Sequence, residues 1–134
     1  MKQAKQSHEE MDAASKSYRL LPGADLTLRY ELAEQLRKVN AFWSYAQADA
    51  MCIPDEVLIE KSFVYLDLSD IALIFQLFRK EYVKKVWKEQ MAIQGDYLFD
   101  LNVMIAMLYF GIKQPERYLK RIEREHLNQL LGNA

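Results

Sequence analysis

Cysteine is almost absent from this chain of 134 residues: Cys52 stands alone, so no internal disulfide can form and no cysteine-rich zinc cluster can be built. Glycine, with four residues, and proline, with three, are scarce too, which removes the turn density that an all-β sandwich or barrel requires. The two histidines, His8 and His126, lie far apart and neither has the HExxH spacing that puts two imidazoles on one helix face. A zinc site or a Ser/Cys–His pair therefore has no visible components. Neither a Walker-type loop nor GxGxxG occurs, so nothing is placed to cradle the phosphates of a nucleotide. An excess of either charge is missing as well: eighteen basic against nineteen acidic residues give a net charge of −1, and no global field draws the chain to nucleic acid or an anionic membrane. The opening MKQAKQSHEEMDAAS has no apolar run of a secretory signal. The longest apolar stretch, 97–111, is shorter than the ~20 residues a bilayer span needs and carries Asp100. These absences lead to the expectation of a cytoplasmic protein with no enzymatic activity, no cofactor and no metal.

What is abundant is apolar surface, 51% of the residues, with 12% aromatic. That composition argues against disorder and for a helical globular chain. The stretch YLFDLNVMIAMLYFG at 97–111 has no clear polar stripe, being interrupted only by Asp100 and Asn102. The expectation is a helix buried all round, at the centre of the molecule. Asn102 within it must find a hydrogen bond, and a structural polar contact is its expected role.

The remaining elements follow from punctuation and period. Residues 1–20 are polar with charges of both signs and read as an arm or a loosely held helix. Leu21-Pro22-Gly23-Ala24 is a break, and Asp25 is placed to cap a helix over 26–39. That helix carries Leu28, Leu32, Leu36 and Val39 on one face, with Arg29, Glu34, Arg37 and Lys38 on the wet side. AFWSYAQADAMCIPDE has no helical stripe and reads as an ordered connection. Pro54 opens a helix over 54–66, where Asp55 and Glu56 favour the dipole. Asp67 precedes an apolar helix through Ile71, Ile74, Phe75, Leu77 and Phe78, and a helix over 80–93 follows almost at once. Gln94-Gly95-Asp96 breaks that helix and caps the next, Gly111 closes 97–111, and Pro115 opens a last helix to about Leu131. The expected fold is all-α: a single compact bundle of five or six helices, with 21–134 as one domain.

Candidate sites are few. The acidic pairs Glu56/Glu60 and Asp96/Asp100 could serve acid–base chemistry or bind a hard cation, but charges complementing helix N-termini explain them more simply. Two basic arcs stand opposite apolar faces: Lys80, Lys84, Lys85 and Lys88 on one helix, Arg117, Lys120, Arg121 and Arg124 on another. Lys84, Lys85, Lys88, Arg117, Lys120, Arg121 and Arg124 are candidate phosphate contacts. The alternative is solvated faces laced with Glu81, Glu89, Glu116 and Glu123. A helix-turn-helix over 69–93 is open to the pattern but lacks a glycine in its turn.

Phe42, Trp43 and Tyr45 cluster where no core periodicity claims them, which suits interface anchors, with Asp55 and Glu56 beside them. Residues 41–111 carry six basic and ten acidic side chains, a local charge that suits a basic partner. FWSYA at 42–46, IPDEVLIEK at 53–61, LDLSDI at 66–71, KKVW at 84–87, GDYLFDLN at 95–102 and KQPERYLKR at 113–121 with His126 together resemble a family of small bacterial helical proteins. Its members are encoded beside nucleotidyltransferase-type toxins of the abortive-infection class. The chain departs from that family at Ala46, where an acidic residue is usual. The resemblance implies an antitoxin-like partner that binds and restrains a toxin. The expected function is thus a non-enzymatic protein-binding module, and the alternative is a helical DNA-binding regulator using the basic faces of 80–93 and 116–131.

Overall fold

A computed structural model describes residues 19–41 and 53–132. Among the described residues the fold is all-α, with six α-helices and one 3-10 helix: α1 Leu26–Lys38, α2 Asp55–Tyr65, α3 Leu68–Leu77, α4 Lys80–Gln90, η1 Ala92–Leu98, α5 Phe99–Phe110 and α6 Pro115–Gly132. The chain divides into two compact units, Met1–Val83 and Lys84–Ala134.

In the first unit α1, α2 and α3 pack pairwise against one another. Asp25 caps α1 as its position implies, accepting from the Thr27 amide at 3.0 Å and the Thr27 hydroxyl at 2.6 Å. The short hydroxyl bond also holds the Asp25 carboxyl below its usual range. The helix ends where Asn40 turns to a φ of 58°, a left-handed conformation that asparagine tolerates. The buried face of α1 is Leu32, Ala33 and Leu36, whereas Val39 is exposed. The small Ala33 shifts the inner face towards Arg29, whose side chain is mostly buried instead of wet. Its guanidinium meets Asp55 and donates to the carbonyl of Ile53.

Pro54 precedes α2 as its N-cap, so the helix begins one residue later than its sequence suggests. Phe63 on α2 is buried and meets Phe75 edge-on, ring centroids 6.4 Å apart. Full burial of one such ring stabilises by roughly 1.5–3 kcal/mol. The one buried hydroxyl of α2, Ser62, donates back to the Leu58 carbonyl at 2.7 Å and is satisfied within the helix. α3 buries Ile71, Ile74 and Leu77, and Asp67 sits at its N-cap without a side-chain bond. Beyond it Phe78 is extended and pairs antiparallel with Leu20. Arg19 and Leu21 add backbone bonds to Arg79 and Leu77, at 2.8 and 2.9 Å, so the chain is anchored at Arg19–Leu21, where the stretch read as an arm or loosely held helix ends.

The second unit contains most of α4, then η1, α5 and α6, the last three packed on one another. α4 stops at Gln90, earlier than the expected 93, and the break spreads through η1 around Gly95, whose φ of 62° glycine alone adopts readily. The side chain of Asp96 does not cap α5, whose N-cap is Leu98. Gly111 does close α5, in the left-handed conformation.

The expectation that 97–111 is buried all round is overturned. α5 buries only Asn102, Ile105 and Ala106. Met104, Met107 and Leu108 are 38%, 58% and 57% exposed, and Tyr97 is 86% exposed. A helix with large apolar residues on every side is fully covered only when neighbours surround it, and in this small unit the packing on α5 leaves Met104, Met107 and Leu108 open.

Candidate functional site

The second unit is organised by Trp87, fully buried on α4. Its indole N–H donates to Asn102 Oδ1 at 2.9 Å, and Asn102 Nδ2 donates to the Met91 carbonyl at 3.0 Å. One side chain of α5 thus holds both a side chain of α4 and the backbone of the residue that follows it. The expected structural role of Asn102 is met by these two partners. The indole lies 5.1 Å from the Phe110 ring and stacks on Tyr118 of α6, nearly parallel at 6° with centroids 6.1 Å apart.

Tyr118 is where the two basic arcs meet. The Lys84 ammonium lies 5.9 Å from its ring centroid and the Arg121 guanidinium 5.2 Å, both within cation–π range. Beside it a shallow groove of about 580 Å³ is lined by Lys113, Arg117, Lys120, Arg121 and Arg124, with Ile112, Gln114 and Tyr118 completing the wall. No carboxylate lines it. Among the described residues none of the five cations forms an ion pair. All five are exposed, as the reading of solvated faces has it, but no glutamate lies among them in the groove: Glu123 lies over Gly95, its Oε1 3.4 Å from where a Cβ would stand. Lys85 and Lys88 are exposed on α4 and do not line the groove.

A second feature is apolar. At 100° per residue Met104, Met107 and Leu108 share one arc of α5 with the exposed Asp100. Next to this arc a groove of about 430 Å³ is lined by Val103, Met107, Gln114, Pro115, Glu116 and Arg117.

Of the residues expected to hold a protein partner, Phe42, Trp43 and Tyr45 lie outside the described residues. Asp55 is engaged within its own unit. Its Oδ1 accepts from Arg29 at 2.9–3.0 Å, and its Oδ2 lies 3.5 Å from Arg19. Its carboxylate, 19% exposed, is thus the centre of a structural cluster rather than an open surface charge. Glu56 is exposed. The same cluster reaches Tyr82, whose ring lies 5.9 Å from the Arg19 guanidinium. Burial pushes the Tyr82 phenol up, Arg19 draws it back, and the carboxylates of Glu56 and Asp55 add to the rise.

Sequence reasoning missed the exposed face of α5 and the meeting of the two arcs. The first has no signal in a segment without a polar stripe. The second has a local trace, since Tyr118 and Arg121 are three residues apart on one helix, but the approach of Lys84 is tertiary.

Among the described residues no single helix is long and apolar enough to cross a membrane. Comparisons with protein-family models, with curated proteins and with solved structures give no match to this chain.

Proposed function

We propose that this chain is a non-enzymatic, antitoxin-like module that works by holding another protein. The reading rests on one observation, the exposed apolar arc of α5 formed by Met104, Met107 and Leu108. Large apolar side chains grouped on an exposed helix face are a feature of docking surfaces, and methionines suit such a surface because they repack readily around a partner. Asp100 within the arc and Glu116 at the adjoining groove give it carboxylates. The partner that fits is a protein with an apolar cleft rimmed by cations, such as the nucleic-acid-facing cleft of a nucleotidyltransferase-type toxin, where complementary charge speeds association. The aromatic segment Phe42–Tyr45 adds to this reading through its composition alone.

The test uses methionine methyl resonances of the full chain, titrated with the product of the adjacent gene. Met104 and Met107 are expected to shift or broaden, while Met91, fully buried, stays in place. A complex that forms with neither exposed methionine perturbed removes α5 as the docking face.

A further inference from the structure

We infer that the groove beside Tyr118 binds closely spaced phosphate groups. Lys113, Arg117, Lys120, Arg121 and Arg124 line one concavity with no carboxylate among them. None of them forms an ion pair among the described residues, although glutamates are available on the same helix at 116, 123 and 125. Five cations grouped without a counter-charge repel one another, and a polyanion relieves that repulsion while releasing its own counterions. Arginine supplies the planar fork that grips phosphate oxygens in pairs. Arg121 is held over the Tyr118 ring at 5.2 Å, so part of the ordering cost of binding is met in advance. Lys84 approaches the same ring at 5.9 Å and adds a sixth cation from a different helix.

The chemistry recognised is phosphate and not base. Stacking on Trp87 occupies one face of Tyr118, and the cations approach its ring as well, which leaves no open aromatic platform for a nucleobase. Phosphate contacts position a ligand without reading sequence. A free oligophosphate and the backbone of a nucleic acid present the same groups, and a groove of about 580 Å³ open to solvent admits a short chain of either. The lining runs from Ile112 into α6 and shares Gln114 and Arg117 with the apolar groove beside α5, whereas Lys113, Lys120, Arg121 and Arg124 belong to this groove alone.

The experiment titrates the full chain into a labelled single-stranded 12-mer of mixed sequence, with tripolyphosphate as competitor, across a range of salt. Binding is expected with a logarithmic salt slope of about −2 to −4, corresponding to some three to five phosphates. A second 12-mer of different sequence binds equally. Arg117→Glu with Arg121→Glu weakens binding about tenfold or more, and the milder Arg121→Gln does so in part, with far-ultraviolet circular dichroism unchanged. Displacement of the 12-mer by tripolyphosphate at comparable phosphate concentration identifies a free oligophosphate as sufficient. Binding of the 12-mer that resists displacement and is lost in the same variants identifies the nucleic-acid backbone. Absence of binding to both probes overturns the inference. So does an equal loss from Lys85→Glu with Lys88→Glu, whose side chains lie outside the groove.

Discussion

The indole of Trp87 donates to the side-chain oxygen of Asn102 at 2.9 Å, and the amide of Asn102 donates in turn to the carbonyl of Met91 at 3.0 Å. All three residues are fully or almost fully buried, so each bond is made away from competing water. Replacing Asn102 with leucine leaves the indole N–H without a partner, at about 1–3 kcal/mol, while the Met91 carbonyl keeps its bond from the Gln94 amide at 3.0 Å. Urea unfolding of Asn102→Leu should show that loss, and it should also perturb Trp87 fluorescence in the folded state. A variant as stable as the parent would mean that the bridge contributes nothing.

Two substitutions on α5 separate its covered and open sides. Ile105 is fully buried and Leu108 is 57% exposed. Ile105→Ala is expected to cost about 2–5 kcal/mol through the cavity it leaves. Leu108→Ala should stay within about 0.5 kcal/mol, as surface substitutions do. Equal, large losses at both positions in chemical unfolding would restore 97–111 as an all-round core helix.

In the first unit Asp55 joins three segments: its own helix, Arg29 of α1, and Arg19 at the start of the described chain. Asp55→Asn keeps the size but removes the charge that both guanidinium groups face. The expected loss is about 1.5–3 kcal/mol, the range of hydrogen bonds to charged groups. Arg29→Ala should cost a similar amount, and the double variant less than the sum because the two side chains share one interaction. A double-mutant cycle measures this directly, and full additivity would mean that the pair is decorative.

Alkaline stability tests the buried phenols. Burial raises Tyr82 and Tyr109 above the ordinary tyrosine value of 10.0. Below 10.0 both are protonated whether the chain is folded or not, so they add no slope. Above it the unfolded chain releases these protons first, and stability falls as pH rises towards the folded values. The parent should therefore lose stability more steeply above about pH 10 than Tyr82→Phe with Tyr109→Phe does. Parallel curves would show that neither phenol is coupled to folding.

Much of the secondary structure could be read from the sequence. Asp25, Pro115 and Gly111 mark helix boundaries through local chemistry, and α3 announced its core side through Ile71, Ile74 and Leu77. The misreadings have a common physical origin. A helix that is apolar on every side, as α5 is, carries no period to say which side is covered, and its burial depends on how many neighbours surround it. Arg29 looked like a surface residue because its ion-pair partner lies 26 positions away. The groove has the same character: α6 displays its arc openly in the sequence, but a lining without a carboxylate, with Glu123 lying over Gly95 instead, is a tertiary outcome. Charge lacing is a pattern of spacing, and spacing did not decide which pairs form.

A protein-docking face on α5 is tested by measuring stability and affinity together on Met107→Asp with Leu108→Asp. Both side chains are more than half exposed, so the folded state should tolerate the change. Affinity for a nucleotidyltransferase-type partner should fall by at least about 2 kcal/mol, or roughly thirtyfold, if these residues form the centre of the interface. An unchanged unfolding midpoint with binding lost is the predicted result. Full affinity in the folded variant would contradict the claim.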